Sequence, residues 1–118
     1  MYAQITTVQV PMGSMKKLRE IMERDYLPML QGRAGFISAL FLEQLDDPDR
    51  AQILTLWKDQ AALETFMSNS LPQASSQVLA GQLPGVRVQR EGHAVTILAG
   101  IPPDKFEAHP PTTQNASS

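Results

Sequence analysis

The chain contains no cysteine. That removes disulfide scaffolds, thiolate zinc sites, iron–sulfur clusters and thiol catalysis together. Histidine is nearly as scarce: His93 and His109 are the only two, and their separation matches no metal-ligand spacing. An excess of one charge is missing as well. Ten Lys and Arg stand against twelve Asp and Glu, a formal net charge of −2 over 118 residues. Neither a nucleic-acid interface nor a polybasic membrane patch is expected from that balance. No apolar run approaches the ~20 residues of a spanning helix, and residues 1–10 show no basic segment leading into an apolar leader core. A glycine-rich phosphate loop, a nucleophile elbow and a Ser-His-Asp order are also missing. The expected setting is the cytoplasm, with no membrane and no nucleic acid as partner.

What is present is enough apolar residue to fold: 42% hydrophobic and 19% charged. The length fits one domain. A domain this small buries a modest fraction of its surface, so a partner subunit would add stability. The expected division is a folded unit over residues 1–98 and a tail over 99–118. The tail holds four of the nine prolines and ends small and polar, a composition that cannot offset its own ordering entropy.

Tyr2 to Val10 is rich in β-branched residues and stops at Pro11, so it reads as a strand. Ser14 is placed to cap a helix. Met15, Leu18, Met22, Tyr26 and Met29, with Ile21 beside them, form one apolar stripe at helical spacing. Pro28 is expected to kink or end that helix, with Gly32 and Gly35 as the stop. Residues 36–42 and 51–57 read as strands apolar on both faces. In the first, Ile37, Ala39 and Phe41 share one face and Phe36, Leu40 and Leu42 the other. Asp46 to Arg50 is a turn by composition and makes the pair a hairpin. Asp59 caps a helix carrying Ala62, Leu63, Phe66 and Met67, and a second helical piece spans about Gln73 to Leu83. A last strand starts at Val86, loses its phase at Gly92, through a bulge or a tight hairpin, and resumes over residues 94–98.

The order β-α-β-β-α-β predicts an α+β, ferredoxin-like antiparallel sheet with both helices on one face. Strands apolar on both sides need a second cover, and a two-fold homodimer through the open sheet face supplies it.

With these elements in place the chain resembles the antibiotic-biosynthesis-monooxygenase-like (ABM) domain of the dimeric α/β-barrel superfamily. The matching stretches are the opening strand, Tyr26-Leu-Pro-Met-Leu30, Gly35-Phe-Ile-Ser38, Asp46-Asp-Pro-Asp-Arg50 and Leu54-Thr-Leu-Trp57-Lys-Asp-Gln-Ala-Ala-Leu63, within about residues 2–98. The resemblance implies a dimer with a pocket between sheet and helices. It also implies one of several activities: cofactor-independent oxygenation of phenols and quinols, haem degradation, isomerisation of small metabolites, or none. In haem-degrading relatives a histidine on the second helix holds the iron. Residues 59–84 contain none, so no cofactor is expected and haem is disfavoured.

Three residues are candidates for chemistry. Trp57, the only tryptophan, is either a stacking wall for an aromatic substrate or a core aromatic at a strand end. Asn69 is either an amide that holds a substrate oxygen or a turn residue in Ser68-Asn69-Ser70. His93 is either a general base or a surface residue at a strand edge. Tyr26 and Tyr2 carry phenols, Tyr26 being expected in the core with its hydroxyl satisfied. Thr6, Thr7, Ser38 and Thr55 are strand hydroxyls able to line a pocket. The function expected is cofactor-independent, monooxygenase-like action on a small aromatic or quinol-type substrate. The alternative is a non-catalytic small-molecule-binding or interaction module on the same scaffold.

Overall fold

The computed structural model describes residues 1–68 and 79–100. Four strands form one open antiparallel sheet: β1 (Tyr2–Gln9), β2 (Phe36–Glu43), β3 (Arg50–Trp57) and β4 (Arg87–Ala94), in the order β2-β3-β1-β4. Between β1 and β2 lie α1 (Met15–Ile21), a π-helical turn (Met22–Tyr26) and α2 (Leu27–Gln31). Between β3 and β4 lies α3 (Gln60–Ser68), and residues 79–82 are helical. This is the ferredoxin-like arrangement expected from the element order. Among the described residues no helix is long and apolar enough to cross a membrane. The tail expected from residue 99 lies outside the described residues from 101 onward, so the domain boundary at 98 stays an expectation.

The helix-facing side of the sheet holds the core. Val8, Leu18, Met22, Leu30, Ile53 and Trp57 are each at most 2% exposed. Burial of each such side chain contributes roughly 1.5–3 kcal/mol relative to exposure. On the opposite side Leu40 and Leu42 are more than a third exposed. They lie on the same face as Leu54 and Ile5, so among the described residues that face carries exposed apolar side chains toward the β2 edge, while Ala3, Ser38 and Leu56 at its other end are buried.

Pro28 acts differently from a simple stop. It has no N–H to donate to Arg24, and the chain passes it with a π turn in which Leu27 N–H reaches back five residues to the Met22 carbonyl. The extra residue shifts the apolar stripe. Met22 and Tyr26 keep their buried places, but Leu30 at 0% exposure, rather than Met29, completes the stripe. Ser14 occupies the N-cap position with no side-chain cap bond. Asp59 does cap α3, its Oδ1 accepting from Ala62 N–H at 2.8 Å.

Two strand expectations are corrected. The pairing of β2 with β3 slips between Phe36 and Ser38, and this bulge turns Phe36 onto the helix side with Ala39 and Phe41, where it meets Trp57 edge-on at 5.6 Å. Gly92 marks neither a bulge nor a hairpin. β4 pairs with β1 in unbroken register from Arg87 to Ala94 and ends there, so residues 95–98 resume no strand.

Candidate active site

Alternation along β1 sends Tyr2, Gln4, Thr6 and Val8 to the helix side, since Val8 and Val10 belong to the core. Their ladder partners on that side are Ala94, Gly92, Arg90 and Val88 of β4 and Trp57, Thr55, Ile53 and Ala51 of β3. Gln4, Thr6, Arg90 and Thr55 therefore form a polar patch inside an otherwise apolar layer. Gln4 and Thr55 are 0% exposed and Thr6 is 2% exposed.

Thr55 is satisfied. Its hydroxyl accepts from Trp57 Nε1 at 2.9 Å and donates to the Gln4 carbonyl at 3.5 Å. Both amide atoms of Gln4, the Thr6 hydroxyl and the Tyr26 hydroxyl are buried with no hydrogen-bond partner among the described residues. Each such group costs about 1–3 kcal/mol, and two of them, on Gln4 and Thr6, stand two residues apart on one face of β1, as polar groups of a ligand-binding interior do. Tyr26, at the end of the π turn, is close enough to Arg90 to feel its charge. Burial raises its pKa and the Arg90 charge partly opposes this, so the phenol is neutral at physiological pH.

Beside the patch lies a groove of about 580 Å³ between α3 and the ends of β1 and β4, lined by Tyr2, Leu63, Met67, Gly92 and Ala94, with Glu64 and His93 at its rim. Gly92, the ladder partner of Gln4, keeps the groove open: a Cβ there would stand 3.5 Å from Met67 Sδ and 3.6 Å from Leu63 Cδ2. A second hollow of about 430 Å³ runs over Gly35, Lys58, Asp59 and Ala62.

Trp57 lies beneath that second hollow at 0% exposure, stacked on Phe66 at 4.7 Å. His93 pairs with Ala3, so alternation turns its side chain to the face opposite Trp57; its Nε2 is 3.8 Å from Glu91 Oε1. The structure thus places Trp57 and His93 at the same end of the sheet and does not bring their side chains together. Asn69 lies outside the described residues. Tyr26 is buried as expected, but its hydroxyl is unsatisfied, which corrects the expected pairing. Gln4 and Arg90 were not singled out from the sequence. The signal was there in the two-residue period of β1, where Gln4 and Thr6 interrupt the phase of Val8 and Val10. Among the described residues no group of three or more His, Asp or Glu converges as a metal site.

The fold has many relatives among solved structures. The cofactor-independent oxygenase SnoaB from Streptomyces nogalater superposes with a TM-score of 0.66 at 11% identity, covering 82% of this chain and 95% of that one. MhuD from Mycobacterium tuberculosis, a haem degrader holding two haems in its active site, superposes with a TM-score of 0.63 at 17% identity, covering 85% and 100%. A monooxygenase-like protein of Nitrosomonas europaea gives 0.65 at 13% identity over 82% and 100%. MhuD overturns the expectation of no cofactor with haem disfavoured: a missing histidine over residues 59–84 speaks to one ligand geometry, whereas this fold accommodates porphyrin. No curated protein matches the chain. Residues 1–75 match the sequence model described as antibiotic biosynthesis monooxygenase, and the chain belongs to that family.

Proposed function

We propose that the chain is a monooxygenase-like protein acting on a small aromatic, quinol-type substrate seated between α3, the π turn and the β1–β4 half of the sheet. The Gln4 carboxamide carries this reading. It is fully buried, unpaired at both ends, and adjoins the apolar groove at Gly92. In this role its N–H groups donate to a substrate oxygen, Thr6 and Tyr26 offer further hydroxyls, and Leu63 and Met67 form an apolar wall that excludes water. In this reading Trp57 supports the floor, its N–H bonding the Thr55 hydroxyl that in turn donates to the Gln4 carbonyl.

Dioxygen uptake with a panel of phenols and quinols tests the proposal. Uptake by the wild type and its loss in Gln4→Leu are expected. Ligands that raise the melting temperature without uptake would instead identify a small-molecule-binding module.

We also propose that a second copy covers the open sheet face, because Ile5, Leu40, Leu42 and Leu54 lie together there. Light scattering should give about twice 13.0 kDa, and Leu54→Arg should give the monomer.

A further inference from the structure

Gly92 is not explained by the strand that carries it. β4 pairs with β1 in unbroken register from Arg87 to Ala94, so no bulge calls for a glycine there. Its backbone also lies outside the left-handed region that Gly13, Gly35 and Gly85 occupy. Within a regular strand a glycine costs stability, because it loses more backbone entropy on folding and packs no side chain. Nor does the helix above demand it. A Cβ at this position would stand 3.5 Å from Met67 Sδ and 3.6 Å from Leu63 Cδ2 of α3, both ordinary contacts. Alanine would therefore fit, and would add apolar contact with α3.

The same distances say what alanine would close. A methyl group on the strand that touches both α3 side chains spans the gap between β4 and α3. With glycine the gap is one methyl group wide, and it opens into the groove lined by Tyr2, Leu63, Met67, Gly92 and Ala94. An aromatic ring is about as thick as a methyl group is wide, so the gap takes the edge of a flat ring and not a puckered, saturated one. The Tyr2 ring, the Met67 thioether and the Leu63 side chain beside it suit an aromatic guest. The acid at the rim, Glu64, accepts from Gln60 Nε2 at 2.8 Å. Among the described lining residues there is no Lys or Arg to balance an anion, so an uncharged ligand is the one that matches.

We propose that Gly92 is a specificity-determining residue: by leaving a slot one ring thick between β4 and α3, it selects an uncharged ligand with a flat ring system over puckered ligands of like size. This rests on the site reading given above.

The test is isothermal titration calorimetry on the full chain with two phenols that share the hydroxyl and the carbon skeleton. One is 1-naphthol, flat throughout; the other is 5,6,7,8-tetrahydro-1-naphthol, whose second ring is saturated and puckered. The wild type should bind 1-naphthol tighter by about fivefold or more. Gly92→Ala fills the slot and should remove most of that preference by weakening 1-naphthol. Met67→Ala opens the slot from the helix side and should shrink the preference in the other way, by relieving the puckered ring more than the flat one. Gly92→Ala should melt at or above the wild-type temperature, because it removes a strand glycine and adds a contact with α3. An unchanged preference in Gly92→Ala overturns the inference, and so does a lowered melting temperature, which would show that the glycine serves the fold. Equal binding of both phenols by the wild type overturns it while the site reading stands, and binding of neither overturns both.

Discussion

The Trp57 indole donates its one N–H to the Thr55 hydroxyl, two residues back on the same face of β3, at 2.9 Å. Both residues are 0% exposed, so neither group has water as an alternative. Thr55→Val keeps the shape of the side chain and deletes the acceptor. The indole N–H is then buried and unpaired, and a loss of about 1–3 kcal/mol is expected from urea unfolding. Dioxygen uptake should fall as well if the floor beneath Gln4 depends on that bond.

Gln4→Leu should separate stability from function. Replacing an unpaired buried amide by an apolar group of similar size relieves its desolvation cost. The variant should melt at the same temperature as the wild type or above it, and should bind no quinol-type ligand in calorimetry. A lowered melting temperature would show that the amide serves the fold.

Tyr26 predicts an alkaline limb in stability. Its pKa in the folded chain is raised above 10.0 by burial, while the unfolded phenol ionises near its ordinary value. The stabilising contribution is therefore fully present below about pH 10 and is lost as pH rises from there through the folded value. Thermal melts across alkaline pH should show Tyr26→Phe losing less stability than the wild type over that window. Parallel curves would count against the buried phenol.

Gly35 packs its Cα against the Ala62 side chain of α3 in a left-handed conformation, φ +79°, with its carbonyl accepting from Lys58 N–H at 2.8 Å. A Cβ at this position collides with Ala62 and is strained by the backbone angle as well. Gly35→Ala should cost more than about 1 kcal/mol in denaturant unfolding. Ala62→Gly in the same chain should recover the part due to the collision and leave the part due to the angle.

Much of the fold was legible because its signals are local. β-branched runs, the Asp46 to Arg50 turn and the Asp59 cap each act over a few residues, and each lies where its chemistry put it. The buried stripe from Met15 to Tyr26 followed from helical spacing alone. The failures came where one residue of slippage matters. The bulge after Phe36 moved an aromatic to the other face, and the π turn exchanged Met29 for Leu30. A period-two or period-3.6 pattern cannot register an insertion that the tertiary packing chooses.

The site was harder to read for a related reason. Gln4, Thr6, Tyr26 and Arg90 come from three elements distant in sequence, and each looks ordinary in its own segment. Composition could say that cysteine and clustered histidine are absent, and it did determine that thiol chemistry is closed to this chain. It could not say that a glutamine on the first strand has no partner, because partnership is a property of what the ladder and the helices bring alongside. Strand pairing put Gly92 next to Gln4 and Arg90 next to Thr6, and the fold brought Tyr26 within reach of the Arg90 charge. The sequence by itself determined the order of elements and the apolar faces. Only the tertiary structure decided which buried polar groups go unpaired, because that depends on neighbours that no local pattern encodes.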